Sequence, residues 1–308
     1  MRIVSLLPSA TEIVCTLGLI DELVGVTHEC DYPPEVIGKP VMTRSVHDLA
    51  GVRSSVIHQL VSSAVHGGSS LYELDEEALA VARPDLILTQ ELCEVCAVSY
   101  RRVNEVARQI DSSIAVVSLE PTSIEGIFNT ISTVGAMTEA EENAVDVLED
   151  LRERLGEIEE RVQERRGEGQ PPIRVVGLEW LDPPFATGHW VPEQIRRAGG
   201  WDVLGREGDR SVETTWDAIR DVDPEMLVLM PCGYHVGEAA REWKRTPRPP
   251  FWRELDAVRR GQMFVVDGSA YFSRPGPRVI DGMAILAEIF DPDGFEELSP
   301  VGSWTPVD

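Results

Sequence analysis

Cysteine and histidine side chains in the first half of the chain could bind a metal ion. Cys93 and Cys96 form a Cys-x-x-Cys pair, a spacing that lets both sulfurs bind one soft metal, with Cys30 and His28 as further ligands. The same pair is compatible with redox chemistry or with small buried side chains. Two interpretations therefore stay open. These side chains bind a metal ion or a metal-bearing ligand, or they contact no metal.

Large aromatic side chains in the second half of the chain favour a flat, partly apolar ligand. Aromatic faces offer contact area at a low cost in conformational entropy, and indole and phenol groups add a polar atom. Each ring could equally pack in a hydrophobic core. The predicted ligand-binding residues are His28, Glu29, Cys30, Tyr32, Cys93, Cys96, Trp180, Phe185, His189, Trp190, Tyr234, Tyr271 and Phe272.

The sequence carries no familiar catalytic motif. It has no P-loop, no Gly-x-Gly-x-x-Gly after the first predicted strand, no Gly-x-Ser-x-Gly and no His-Glu-x-x-His. Glu29, Glu179 and His189 could serve acid–base chemistry, but their spacing does not pair them. We therefore predict a binding protein that is not an enzyme and has no catalytic residue.

The candidate residues follow predicted β-strands. Short β-branched runs alternate with helical patterns, which predicts an α/β fold of parallel sheets flanked by helices. Ligands of such folds bind beyond the carboxyl ends of the strands, where most of the candidates lie. The predicted strands span residues 3–6, 23–26, 85–89, 115–118, 174–178, 226–230 and 263–266.

The two halves of the chain repeat one order of segments. Residues 74–88 match residues 214–228, because each has a helical pattern followed by a proline, an acidic residue and a buried strand. An arginine opens each half, at Arg2 and at Arg174. The repeat predicts two related α/β lobes with a ligand cleft between them.

A long helical pattern separates the two halves. Residues 138–166 contain no proline and carry apolar residues three or four apart, as on an amphipathic helix opened by a capping box at Thr138 and Glu141. The predicted organisation is an N-terminal lobe at 1–136, a rigid bridging helix at 137–168 and a C-terminal lobe at 169–308.

The charge balance excludes several classes of partner. Asp and Glu number 53 against 28 Lys and Arg, for a net charge of −25, which argues against binding to nucleic acid or to an anionic membrane. No apolar run is long enough to span a bilayer, and Glu12 interrupts the first one. We expect a cytoplasmic monomer, or an extracytoplasmic protein if a leader was removed.

Several segments resemble class III periplasmic binding proteins, the substrate-binding components of ABC importers for cobalamin, haem and ferric siderophores. They are RIVSLLPSATEIVCTLGLIDELVGVTHECDYP, ARPDLIL and DVDPEMLVLM, and the resemblance covers nearly the whole chain. The segments HECDYP, LCEVCA, GHWVPE, MPCGY and AYFSRPGPR are similar to the cobalamin-binding branch, including members that lack a signal peptide. The resemblance implies two α/β lobes joined by a rigid helix, with a corrinoid or a similar metal chelate held between them. We predict that the ligand is cobalamin or a related corrinoid.

The resemblance also implies a partner. An acid at the tip of each lobe is expected to dock on arginines of an ABC permease, and alignment of the proline–acid–strand blocks gives Glu77 and Asp217 as these acids. A helix N-cap or a solvated surface position is the alternative role for both. Two alternatives remain. One is direct binding of a metal ion or metal chelate, such as haem, siderophore iron or zinc, at the Cys/His cluster. The other is an enzyme that modifies a corrinoid or tetrapyrrole with the cysteines or Glu29.

Overall fold

The computed structural model of the chain describes residues 1–49, 51–67, 71–90, 100–167 and 169–308. These residues form two α/β units, which confirms the predicted fold class. The first unit comprises Met1–Val52, Gln59–Glu120 and Gly126–Glu149, and the second comprises Arg53–His58, Pro121–Glu125 and Asp150–Asp308. No helix among the described residues is long and apolar enough to cross a membrane.

The first unit is built on a parallel sheet with the strand order β2-β1-β5-β6, beside an antiparallel pair β3-β4. The elements in chain order are β1 (Ile3–Ser5), α1 (Pro8–Thr16), β2 (Leu23–Gly25), β3 (Thr43–Ser45), α2 (Ser54–Gly67), β4 (Tyr72–Leu74), α3 (Glu76–Ala82), β5 (Leu86–Thr89), α4 (Tyr100–Ile110), β6 (Ala115–Ser118), α5 (Ile124–Met137) and α6 (Glu141–Arg166). Helices α2, α5 and α6 each contribute residues to both units.

The second unit has a mixed sheet with the order β10-β8-β7-β11-β12-β13, and β9 also pairs with β7. Its elements are β7 (Ile173–Leu181), β8 (Pro184–Ala186), α7 (Val191–Arg197), β9 (Gly200–Asp202), β10 (Val212–Glu213), α8 (Trp216–Val222), β11 (Met226–Leu229), α9 (Val236–Arg245), α10 (Asp256–Arg259), β12 (Met263–Val266), α11 (Gly268–Tyr271), α12 (Val279–Phe290) and β13 (Trp304–Pro306). Strands β7, β11 and β12 run parallel at its centre, so their carboxyl ends share one edge.

The repeat seen in the sequence has the same local geometry in both units. Asp75 caps α3 by accepting a hydrogen bond from the backbone N–H of Ala78 (2.8 Å), and Thr215 caps α8 by accepting one from Ala218 (3.1 Å). Each helix then ends at a left-handed residue just before the proline. A side-chain cap at the start and a left-handed residue at the end fix where the following buried strand begins.

The two opening arginines tie each repeat together. The backbone N–H of Arg2 donates to the carboxylate of Asp85 (2.7 Å), and that of Arg174 donates to Glu225 (2.9 Å). Both guanidinium groups also donate to carbonyl oxygens at the end of the helix that precedes this acid in the chain, α3 or α8. In each unit, therefore, an arginine side chain caps the C-terminus of the matching helix, where a positive charge is favoured.

The predicted start of the long helix is wrong. Thr138 does not open α6, because its Oγ1 donates to the carbonyl oxygen of Val134 (2.7 Å) and so closes α5. Glu139 adopts a positive φ of 58°, which separates the two helices, and α6 begins at Glu141. A threonine side chain can bond back to the preceding turn as readily as forward, so the Thr-x-x-Glu pattern marks a junction here.

Candidate functional site

Three loops of the second unit meet beyond the carboxyl ends of β7, β11 and β12. The backbone N–H of Cys232, after β11, donates to the carbonyl of Glu179 in β7 (3.0 Å). The N–H of Ser269, after β12, donates to the carbonyl of Tyr234 (3.1 Å). These bonds join the segments after β11 and β12 to each other and to the last residues of β7, so their side chains form one surface on this unit.

Three of the predicted ligand-binding rings lie together on this surface; Trp180, Phe185 and Tyr234 are called the aromatic cluster below. The Trp180 and Tyr234 rings meet edge to face with centroids 5.7 Å apart. Phe185 lies opposite Trp180 in the β7–β8 ladder, and its ring is 5.7 Å from that of His58. All three cluster residues are half-buried.

Polar atoms in the aromatic cluster lack partners within the part of the chain that the structure describes. The indole Nε1 of Trp180 and the hydroxyl of Tyr234 are buried and form no hydrogen bond there. Burial, reinforced by the nearby carboxylate of Glu242, raises the pKa of Tyr234 to about 12, so its phenol stays protonated at neutral pH. Unpaired buried donors are costly to a fold, and a ligand that offers acceptors can satisfy them.

Two other predicted rings are buried instead. Trp190 and Phe272 are only 4% and 3% exposed, so both pack in the core of the second unit. Packing in a hydrophobic core is the second of the two roles left open for each ring. Nothing in the sequence pattern distinguishes Trp190 and Phe272 from their half-buried neighbours. Tyr271 is half-buried, and the guanidinium of Arg278 lies 5.4 Å from its ring centre.

His189 lies beside the buried Trp190, with ring centroids 5.8 Å apart. Its backbone has a positive φ of 52°, and its N–H donates to the carbonyl of Asp209 (2.6 Å). Burial, together with the charge of Arg210, lowers the pKa of His189 below its usual value. The imidazole is therefore neutral near pH 7 and able to accept or donate one hydrogen bond.

Glu179 has a structural role rather than an acid–base one. Its carboxylate accepts hydrogen bonds from the backbone N–H of Gly188 (2.9 Å) and from the hydroxyl of Ser211. A Cβ at Gly188 would lie 2.3 Å from the backbone nitrogen of Ser211, so only glycine fits there. Glu179 thus holds the loop that leads from β8 to His189.

The candidates of the first unit form a polar group after β2. His28 Nδ1 lies 2.8 Å from the Thr43 hydroxyl, and the Tyr72 hydroxyl donates to Glu29 (2.9 Å). The rings of His28 and Tyr72 are 5.1 Å apart, which joins the four side chains into one group. Tyr72, on β4, was not identified from the sequence because no motif surrounds it.

The thiol candidates are only partly described. Cys30 Sγ lies 3.1 Å from the Thr11 hydroxyl and 3.3 Å from that of Thr27, while Tyr32 is 44% exposed. Cys93 and Cys96 lie outside the described residues, so the predicted Cys-x-x-Cys site stays a prediction. Among the described residues, no group of three or more His, Cys, Asp or Glu side chains could hold a metal ion.

The two acids at the predicted docking positions occupy equivalent places. Glu77 and Asp217 are each the second residue of a short helix, α3 or α8, and both are exposed. Asp217 forms an ion pair with Arg220 (2.9 Å) on its own helix. The neighbour of Glu77, Glu76, pairs with Arg102.

Comparisons with known proteins place this geometry in one family. The periplasmic binding protein family matches residues 3–270. An uncharacterised ABC transporter substrate-binding lipoprotein of Bacillus subtilis is 25% identical over 96% of this chain and 82% of its own length. The vitamin B12-binding protein of Vibrio cholerae is 22% identical over 92% of this chain and 86% of its own length.

A solved structure shows the same fold. The periplasmic haem-binding protein of Pseudomonas aeruginosa superposes with a TM-score of 0.68 at 20% identity, covering all of this chain and 95% of that one. At this identity the likeness supports the two-unit α/β fold and says nothing about the ligand. The relatives together confirm the predicted class, a substrate-binding protein that is not an enzyme.

The expectation of a cytoplasmic protein is wrong. The family is one of periplasmic binding proteins, and the Bacillus relative is a lipoprotein, so the relatives that this chain matches are extracytoplasmic. The expectation depended on Glu12, which interrupts the first apolar run. The run forms β1 and the buried helix α1 of the first unit, with Glu12 only 2% exposed, so its pattern reports folding rather than cellular location. The chain belongs to the periplasmic binding protein family.

Proposed function

We propose that the chain binds cobalamin or a related corrinoid and delivers it, unchanged, to an ABC permease. The observation that carries this proposal is the aromatic cluster, whose indole N–H and phenol O–H have no hydrogen-bond partner among the described residues. A corrin ring presents a broad apolar face, and the amide side chains around its rim accept hydrogen bonds. Aromatic faces with a few well-placed donors suit that combination.

The chemistry of the cluster favours a corrinoid over haem. The indole N–H of Trp180 and the hydroxyl of Tyr234, which lack partners in the part of the chain that the structure describes, are neutral donors and match amide oxygens. The carboxylates of haem instead prefer cationic partners. The net charge of −25 also repels a dianionic ligand over a longer range. The similarity to a vitamin B12-binding protein supports the same choice.

The proposal is tested by calorimetry on the purified chain. Cyanocobalamin and hydroxocobalamin are each expected to bind at about one equivalent, with haemin as a weaker competitor, and elemental analysis is expected to show no stoichiometric zinc or iron before the titration. Saturable binding of haemin alone would overturn the corrinoid assignment. Bound zinc or iron with no corrinoid heat would move the site to the Cys/His cluster.

We also propose that Glu77 and Asp217 dock on arginines of the permease. Their equivalent exposed positions at the start of α3 and α8 support this role, because a repeated carboxylate can meet a repeated cationic site. Charge reversal by E77K or D217K is expected to weaken binding to vesicles that hold the cognate permease, with corrinoid affinity unchanged. Wild-type docking by both variants would contradict this role.

A further inference from the structure

Helix α2 makes an unusual connection in the chain. It lies between β3 and β4, which pair directly as antiparallel neighbours with Thr43 opposite Leu74. The first residues of α2 nevertheless group with the second unit, whose segments include Arg53–His58. The start of this helix is therefore part of the unit that carries the aromatic cluster.

A buried carboxylate fixes the start of α2 in the second unit. Glu242, on α9, is 2% exposed, and its Oε1 accepts hydrogen bonds from both the backbone N–H and the hydroxyl of Ser54, each 2.7 Å long. Its Oε2 accepts one from Arg245 (2.8 Å). A carboxylate is buried at a large cost unless donors satisfy it, so this contact is specific.

The same turn of α2 brings His58 to the aromatic cluster. His58 follows Ser54 by four residues, one helical turn along, and its ring packs on Phe185 with centroids 5.7 Å apart at an angle of 57°. Phe185 faces Trp180, and Trp180 meets Tyr234. The negative charge of Glu242 also helps to raise the pKa of Tyr234. The carboxylate that binds Ser54 therefore also acts on the aromatic cluster.

We propose that His58 is a ligand-contacting residue of the corrinoid site and that Glu242 is the positioning residue that places it there. The inference rests on the proposed function and adds a specificity-determining side chain to it. A histidine ring at the border of the cluster extends its apolar face through contact with Phe185 and adds a polar edge. A helix held at its first residue presents that ring in one orientation, which lowers the entropic cost of binding.

The test compares variants of the full chain in calorimetric titrations with cyanocobalamin. We expect H58A to raise Kd about tenfold, as truncation of a well-packed interface ring does. H58F keeps the ring and is expected to recover part of the loss. Q59A changes an exposed neighbour on the same helix and serves as the matched control, with an unchanged Kd.

Glu242 is tested by a readout that does not depend on the ligand. E242L removes the acceptor of Ser54, so hydrogen exchange at the amides of residues 54–58 is expected to become faster and Kd to rise. Corrinoid binding by wild-type protein with no effect of H58A would overturn the inference and leave the proposed function standing. Absence of corrinoid binding by wild-type protein would overturn both, and the exchange measurement would still decide whether Glu242 holds α2.

Discussion

The two units share a scaffold and differ at the ends of their strands. In both, an arginine binds the end of a capped helix, and a proline and an acid lead into a buried central strand. The first unit carries a polar group built around His28, after β2, and Tyr72, on β4, whereas the second carries the aromatic cluster on β7, β8 and the segment after β11. The scaffold is therefore shared, and the residues at and near the strand ends decide which ligand chemistry each unit offers.

This difference predicts unequal contributions to corrinoid binding. Trp180→Ala is expected to lower affinity about 100-fold, because it removes both a large buried face and a donor. Tyr32→Ala, in the exposed loop of the first unit, is expected to cost less than about tenfold. Calorimetric titration with cyanocobalamin measures both.

Trp201 provides the matched control for Trp180. It is 56% exposed on β9, outside the aromatic cluster. Trp201→Ala is expected to leave the affinity unchanged. Equal losses from Trp180→Ala and Tyr32→Ala would remove the asymmetry between the two units.

The shared scaffold predicts equal effects on stability. Asp75→Ala and Thr215→Ala each remove the side-chain cap of a matched helix, so each is expected to lower the free energy of unfolding by about 1 kcal/mol. Urea denaturation followed by circular dichroism measures the change. Asp75→Ser and Thr215→Ser retain a capping oxygen and are expected to keep most of the stability. If only one of the two alanine variants lost stability, the two helix caps would not contribute equally.

A smaller effect is expected from His189 in the second unit, which makes the free energy of unfolding depend on pH. The pKa of His189 is lowered by burial, so below the ordinary value of 6.5 the unfolded chain binds a proton that the folded protein binds less well. The free energy of unfolding is therefore expected to fall as the pH drops below about 6.5, and to fall less steeply in His189→Gln. Identical slopes in both proteins between pH 7 and pH 5 would contradict the buried, neutral state of His189.

The sequence predicted the scaffold well because its signals are local. The strands expected at 115–118 and 263–266 have those bounds in the structure, and the proline–acid blocks lead into β5 and β11 as the repeat predicted. The strand expected at 174–178 continues to Leu181 because it forms a hairpin with β8, a pairing that has no sequence signal of its own. Local patterns thus found seven strands of the two sheets but missed the short strands β3, β4, β8, β9, β10 and β13, which have no comparable apolar run.

The rest of the candidate site depends on contacts between distant residues. Ser54 and Glu242 are 188 positions apart, and neither carries a motif, so their bond and the placement of His58 are visible only in the folded chain. The buried state of Trp190 was equally hidden, because an aromatic residue after a strand has the same pattern whether it faces solvent or the core. Residue type predicted which chemistry was available, and packing decided which residues present it.

Hydrogen exchange with and without cyanocobalamin tests the central claim most directly, because it reports both binding and its place in the chain. We predict slower exchange in residues 179–189, 231–235 and 267–271 of the second unit, with the scaffold segments 74–90 and 214–229 unchanged. Protection confined to the first unit, or none at saturating cyanocobalamin, would contradict a corrinoid site built on the aromatic cluster.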